Sequence, residues 1–203
     1  MSDLSLPLQQ AASQLPVPFY FDEALLAREK NRLFDAGPRY VGHALAVPRP
    51  GDYFTLPQEK GGRALVRNAH GGLELISNVC CHRQAIMLKG RGNLREQGQA
   101  HAGGNIVCPI HRWTYSPSGQ LLGAPHFPQD PGLSLNNYGL REWNGLLFED
   151  NGRDVRADLA DMAVAPQLSF DGFVLDHVEL HECNYNWKTF IEIYLEDYHV
   201  APF

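Results

Sequence analysis

The sequence has no long hydrophobic run, and no apolar stretch approaches the roughly 18 residues that a membrane span requires. It has no block of basic residues either: 17 Lys and Arg stand against 23 Asp and Glu, for a formal net charge of −6. A net-acidic chain is a poor candidate for binding the phosphate backbone of nucleic acids. The first basic residue is Arg28, so the charged start of a secretory signal is missing. These absences predict a cytoplasmic protein that binds neither membranes nor nucleic acid.

Cysteine is scarce, whereas histidine is not: the 203 residues include 4 Cys and 9 His. In a chain without an export signal, cysteines that stand close to histidines indicate a metal site more than disulfides. An apolar content of 44% and a charged content of 20% are those of a folded protein with a buried core. The sequence therefore predicts a globular metalloprotein.

The predicted fold class is α+β, with a leading helix followed by many short strands. Asp22 is a suitable N-cap for a helix that runs to about Asp35, and Gly37 with Pro38 ends it. From Tyr40 onward, short β-type runs broken by Gly, Pro and Asn predict a small antiparallel sandwich or barrel. The runs that predict strands are 53–56, 64–67, 73–79, 106–107, 113–115, 145–148 and 173–180. Residues 186–199 have the pattern of a helix.

Two Cys–His pairs carry the predicted chemistry. Cys80-x-His82 and, after 25 intervening residues, Cys108-x-x-His111 each follow a β-type run, so each pair is expected on a loop at a strand end. Two thiolates and two imidazoles can hold either Zn²⁺ or one [2Fe–2S] cluster. A structural zinc finger usually takes both cysteines from one turn and both histidines from a helix. Because each loop here supplies one of each, the spacing favours the iron–sulfur cluster.

The residues around both pairs resemble the two loops of Rieske domains in ring-hydroxylating oxygenases. The resemblance implies that Cys80 and Cys108 ligate one iron of the cluster, and His82 and His111 the other. It implies further that Trp113 and Tyr115 either cover the cluster from water or pack in the sheet. The matching segments are 78–83, 108–115 and 119–125.

The sequence departs from this family at three places. The family usually has Gly where Gln84 and Arg112 stand, and if either of these glycines needs a positive φ, the local turn must differ here. The spacing between the loops is longer, which predicts an added loop through residues 90–104. The cysteines that staple respiratory Rieske proteins are absent, so a respiratory role is not expected. Cys81 and Cys183 have no matching role, and we expect ordinary buried or half-buried thiols at both positions.

The C-terminal segment holds a second candidate site. Glu192, Glu196 and His199 are spaced to lie on one face of a helix. The segment resembles the stretch of oxygenase large subunits that carries a mononuclear non-haem iron. The resemblance implies that His199 is the first Fe(II) ligand and Glu196 the catalytic carboxylate that connects the two metal centres. The alternative from the residues alone is a solvated acidic helix face.

The resemblance also implies a function. It predicts the terminal oxygenase component of a Rieske-type mono- or dioxygenase, with electrons supplied by a reductase or ferredoxin. O₂ activated at the mononuclear iron would then hydroxylate or demethylate a small organic substrate, in a homotrimer. The predicted domains are 1–38 (lead-in and helix), 39–150 (Rieske domain) and 151–203 (start of a catalytic domain).

The other ligands of the mononuclear iron have no counterpart in the sequence. We therefore interpret the chain as the N-terminal part of a larger subunit and expect it to hold the cluster without oxygenating a substrate. Two alternatives stay open, namely a Rieske-type ferredoxin that only carries electrons and a zinc-stabilised binding module. Aromatic acids, quaternary amines and aryl ethers are all open as substrates.

Overall fold

The computed structural model describes residues 15–96 and 103–195 of the chain. The chain divides into two compact units, one spanning Asp35–Leu180 and the other combining Met1–Phe34 with His181–Phe203. The domain boundaries predicted after residues 38 and 150 stay predictions, while this division groups the leading helix with the C-terminal segment. No helix in the described part of the chain is long and apolar enough to cross a membrane.

The unit Asp35–Leu180 is built from three antiparallel sheets. A five-stranded sheet has the strand order β5-β2-β3-β4-β9, and two three-stranded sheets have the orders β1-β11-β10 and β6-β7-β8. A short helix, α2, follows the last strand. The strands are β1 (Tyr40–His43), β2 (Asp52–Thr55), β3 (Arg63–Arg67), β4 (Leu73–Ser77), β5 (Arg91–Asn93), β6 (Ile106–Val107), β7 (Thr114–Tyr115), β8 (Leu121–Gly123), β9 (Asn137–Tyr138), β10 (Leu140–Trp143) and β11 (Leu146–Glu149), and α2 is Val155–Asp158.

The five-stranded sheet is buried on both faces at its central strand, β3. In β3, Ala64 and Val66 pack into one hydrophobic cluster together with residues of β6–β8, whereas Leu65 packs into a second cluster with residues of β1 and β11. This division follows from the strand geometry, since successive side chains point to opposite faces. The interior of β3 is therefore a continuous run of apolar residues, without the alternation of apolar and polar residues that a strand buried on one face has.

The predicted antiparallel β-domain is confirmed, but several strand predictions are wrong. Residues 173–180 form no strand among the described residues, because a β-type run forms a strand only where it pairs with a neighbouring strand. The added segment 90–104 contains a strand, Arg91–Asn93, that pairs with β2, so the prediction of a loop fails there. The sequence prediction also missed β1, β8, β9 and β10, which have two to four residues and little β-branched content.

The helices of the other unit begin where the sequence predicts. Asp22 caps α1 (Glu23–Glu29) by accepting a hydrogen bond from the Leu25 N–H at 3.0 Å. The helix continues as a wider π-type turn, Lys30–Asp35. The predicted helix 186–199 is seen as α3 (Trp187–Leu195), and its last predicted residues lie outside the described part of the chain. A short 3₁₀ turn in this unit spans Val17–Tyr20. Similar turns in the unit Asp35–Leu180 span Ala44–Ala46, Pro57–Glu59 and Ala165–Gln167.

A buried ion pair joins α1 to α3. Lys188, which is only 8% exposed, places its Nζ 2.7 and 2.8 Å from the carboxylate oxygens of Glu29. The indole N–H of Trp187 donates to the same carboxylate at 3.0 Å. The hydrogen bonds from Lys188 and then Trp187 lower the pKa of Glu29. Because a buried ammonium needs a counter-charge, this pair fixes which faces of the two helices meet.

Candidate metal centre

The two loops that carry the Cys–His pairs share one backbone geometry. In each loop the cysteine N–H donates to the carbonyl five residues later, at 2.9 Å for Cys80 and 2.8 Å for Cys108. The same cysteine's carbonyl accepts from the N–H four residues later, at 2.9 Å and 3.1 Å respectively. Two loops of equal shape therefore follow strands of different sheets, and each presents one cysteine and one histidine.

The shared loop geometry needs a left-handed residue four positions after each cysteine. Gln84 (φ 56°) and Arg112 (φ 62°) occupy these positions. Both residues carry side chains and still adopt the left-handed conformation that favours glycine, so a different turn is not needed to accommodate them. A non-glycine residue in this region costs about 1–2 kcal/mol, so the loops keep their shape at the expense of local strain.

Arg112→Gly is expected to stabilise the protein. Glycine removes the strain at φ 62° but adds freedom to the unfolded chain, so the net gain in the free energy of unfolding is about 0.5–1 kcal/mol. Denaturant unfolding monitored by circular dichroism measures it. The control is Arg83→Gly, because Arg83 is also exposed but is not in the left-handed region, and there glycine should lower stability. A loss of stability with Arg112→Gly would contradict the strain argument.

The two thiols of these loops are buried and free. Cys80 is 1% exposed and Cys108 is 2% exposed, and neither forms a disulfide. Cys81 and Cys183 are exposed, so the prediction of buried or half-buried thiols at those positions is wrong. For Cys81 the reason is local, since it directly follows the inward-facing Cys80. Only the two motif cysteines are therefore shielded in the way that a cluster ligand requires.

The two imidazoles lie side by side. The ring centroids of His82 and His111 are 4.6 Å apart, in an edge-to-face arrangement. The Nδ1 atom of His82 is buried and has no hydrogen-bond partner among the described residues, whereas the His111 residue is exposed. Burial lowers the pKa of His82, and the neighbouring His111 and Arg83 lower it further. A neutral imidazole with an unsatisfied inward nitrogen is the form that binds a metal.

This donor set fits a two-iron cluster. A Rieske cluster takes two protein donors on each iron, thiolates on one and imidazoles on the other. The buried thiols and the adjacent imidazole rings are consistent with that division of donors.

Tyr115 lies directly against a ligand candidate. Its hydroxyl oxygen is 3.5 Å from the Cys80 Sγ and accepts a hydrogen bond from the Cys81 N–H at 3.3 Å. Because the oxygen accepts from the backbone, the hydroxyl proton is available to the Cys80 sulfur. Burial, followed by the hydrogen bond with Cys80, raises the pKa of Tyr115 well above its usual value, so the phenol keeps its proton. Tyr115 thus both packs in β7 and covers a predicted ligand.

Asn78 supports the start of the loop that carries Cys80 and His82. The sequence-based prediction did not include it among the functional residues. The side chain is fully buried and makes three hydrogen bonds of 2.8 Å. Its amide nitrogen donates to the carbonyls of Gly61 and Leu88, and its amide oxygen accepts from the Leu88 N–H. The one sequence signal was an asparagine at the end of an apolar β-type run, where a buried amide needs several partners.

The second candidate site stays a prediction. Glu196 and His199 lie outside the described residues. Glu192 is described and exposed, and its carboxylate accepts a hydrogen bond from the Tyr20 hydroxyl.

Comparison with known proteins gives consistent matches. Residues 38–141 match the model of the Rieske [2Fe-2S] domain. The chain is 60% identical to a putrescine 2-hydroxylase of Ralstonia nicotianae, over 100% of this chain and 53% of the relative. It is 56% identical to a putrescine 2-hydroxylase of Bordetella bronchiseptica, over 95% of this chain and 46% of the relative.

Solved structures match as well. The crystal structure of the quaternary ammonium Rieske monooxygenase CntA in complex with L-carnitine is similar at a TM-score of 0.69 and 25% identity. The match covers 92% of this chain and 54% of that one. The chain thus spans about half the length of the curated relatives and of the solved structure that it matches.

Proposed function

Because the chain belongs to the Rieske [2Fe-2S] domain family, we propose that its four motif side chains hold the cluster. Cys80 and Cys108 supply thiolates to one iron, and His82 and His111 supply imidazole nitrogens to the other. Two buried free thiols, adjacent rings and the unsatisfied Nδ1 of His82 support this assignment. The bound cluster would accept and release one electron at a time.

The protein acts, in this proposal, as the oxygenase component of a Rieske-type hydroxylase. The observation that carries it is the identity of 60% and 56% to two putrescine 2-hydroxylases over nearly the whole chain. A Rieske ferredoxin would need only the domain matched at residues 38–141, yet this similarity continues through α3. The oxygenase therefore accounts for more of the chain than the electron carrier does.

The substrate class follows from the same relatives. We propose a small aliphatic amine such as putrescine, which is hydroxylated with O₂ and with electrons from a reductase or ferredoxin. Glu196 and His199 keep their predicted roles at a mononuclear Fe(II), and the full-length protein is proposed to be a homotrimer. We place the protein in the cytoplasm, where NAD(P)H is available to such a reductase.

The test is turnover by the full-length protein with a reductase, NAD(P)H and isotopically labelled O₂. We expect mass spectrometry to find one labelled oxygen atom in putrescine and none in carnitine, the matched quaternary substrate. Labelled carnitine with unchanged putrescine would overturn the substrate class. Rapid reduction of the cluster without oxygen transfer to any amine would favour the electron carrier.

Tyr115→Phe is expected to lower the reduction potential of the cluster. A hydrogen bond to the Cys80 sulfur stabilises the more negative, reduced cluster more than the oxidised one. Its loss is worth about 1 kcal/mol, or roughly 40 mV for one electron. Protein-film voltammetry measures the shift, and Tyr138→Phe, in the other hydrophobic cluster, is the control. An unchanged potential in the Tyr115 variant would contradict the hydrogen bond.

A further inference from the structure

An aromatic box surrounds His82. Its imidazole lies parallel to the Trp113 indole, with centroids 5.0 Å apart and planes 6° apart. The Phe127 ring meets the same imidazole nearly at a right angle, at 5.9 Å and 85°. Trp113 and Phe127 also contact each other at 5.1 Å and 89°. Trp113 and Phe127 therefore form two adjoining walls around one imidazole, and we call this pair the His82 box.

The loop that carries Phe127 is held in an unfavourable conformation. His126 has φ 69°, in the region that favours glycine, and the Phe127 N–H donates to the Ala124 carbonyl at 3.2 Å. Phe127 itself stays 45% exposed, so its ring gains only part of the burial that a core phenylalanine has. The conformation of His126 costs about 1–3 kcal/mol, while the Phe127 ring that it positions is only partly buried. This balance indicates that Phe127 has a role other than core packing.

The two imidazoles have different surroundings. His82 is half-buried, contacts both walls of the box and has a buried Nδ1, whereas His111 is exposed. Aromatic contacts have a preferred geometry, so two walls at right angles restrict the ring plane of His82 in a way that a single apolar contact does not. Trp113 is buried and belongs to the core, while Phe127 reaches the same ring from a surface loop.

We propose that Phe127 is a positioning residue that, with Trp113, fixes the imidazole plane of His82 as a cluster ligand. The inference rests on the proposed cluster ligands. His82 is then the rigid imidazole of the pair, and His111 is the one open to solvent or to a partner protein. Phe127 would act through His82 without touching the irons.

The experiment uses the cluster-loaded protein in its reduced state. Pulsed electron paramagnetic resonance measures the hyperfine couplings of the histidine nitrogens, which depend on the ring orientation at the iron. We expect Phe127→Ala to broaden or shift one of the two nitrogen couplings. We also expect the cluster to be lost to an iron chelator about tenfold faster, as two lost ring contacts imply. Phe127→Tyr, which keeps the ring, should restore both properties.

The matched control is Tyr40→Ala. Tyr40 is 53% exposed, and its ring contacts Phe148 at 5.8 Å in another sheet of the same unit. This variant loses a comparable exposed ring and should keep wild-type couplings. If Phe127→Ala does not fold, Phe127→Leu keeps apolar volume without a ring and should show the shifted coupling.

Three other outcomes would contradict this inference. Wild-type couplings in Phe127→Ala or Phe127→Leu would overturn the inference, even if the cluster were lost faster, because Phe127 would then only cover it. Wild-type couplings with slower reduction by the electron donor would identify Phe127 as a partner contact and would also overturn it. A wild-type protein without a Rieske signal would refute the cluster proposal, and this inference with it.

Discussion

Cys108→Ser is expected to abolish the cluster, with the iron and acid-labile sulfide of the purified protein falling to background. Cys108 is buried at the end of β6, and the serine hydroxyl that replaces its thiol stays protonated and is a poor iron ligand. Even changes outside the ligand shell cost metal sites 10–100-fold in affinity, so loss of a ligand should cost more than about a hundredfold. Iron and sulfide assays, together with the visible absorption spectrum, measure the result.

The chain offers two matched controls for this prediction. Cys81 directly follows the proposed ligand Cys80, and Cys183 lies in the other unit, but both are exposed. Cys81→Ser and Cys183→Ser should therefore keep full iron and sulfide content. A Cys81 variant that loses the cluster, or a Cys108 variant that keeps it, would refute the assignment of the ligands.

Asn78→Ala is expected to lower the free energy of unfolding by about 3–5 kcal/mol. The substitution removes the partners of the buried Leu88 N–H and carbonyl and of the half-buried Gly61 carbonyl, at about 1–3 kcal/mol each. A loss of this size lowers the Tm by roughly 10–15 °C in a domain of this length. Because Asn78 is two residues before Cys80, we expect the cluster to be lost together with the fold.

Asn137→Ala is the control for this loss. Asn137 is exposed, and its side-chain amide also donates two hydrogen bonds, to Glu74 at 2.8 Å and to the Ser118 carbonyl at 3.0 Å. Water can replace these partners, so the expected cost is below about 1 kcal/mol. Differential scanning calorimetry compares the two variants. Equal losses in the free energy of unfolding would contradict the argument that burial makes the hydrogen bonds of Asn78 costly to remove.

The sequence determined the identity of the ligand candidates and the family. A Cys and a His at fixed spacing after each of two β-type runs restrict the chemistry to a few metal sites, because donor type and local spacing are properties of the chain itself. The N-cap of α1, the longer strands such as β3 and β4, and the helix at α3 follow from equally local signals. The predicted roles of Glu196 and His199 stay predictions.

Only the tertiary structure decided which side chains support those candidates. The box around His82, the three partners of Asn78 and the hydroxyl of Tyr115 on the Cys80 sulfur all join residues far apart in sequence. Gln84 and Arg112 differ from these features, because local hydrogen bonds within each loop hold them in a left-handed conformation against their own preference. Residues 173–180 look like a strand in sequence but form none in the described part of the chain. Contacts between distant residues fix the box around His82 and the hydroxyl on the Cys80 sulfur, and local sequence patterns do not record such contacts.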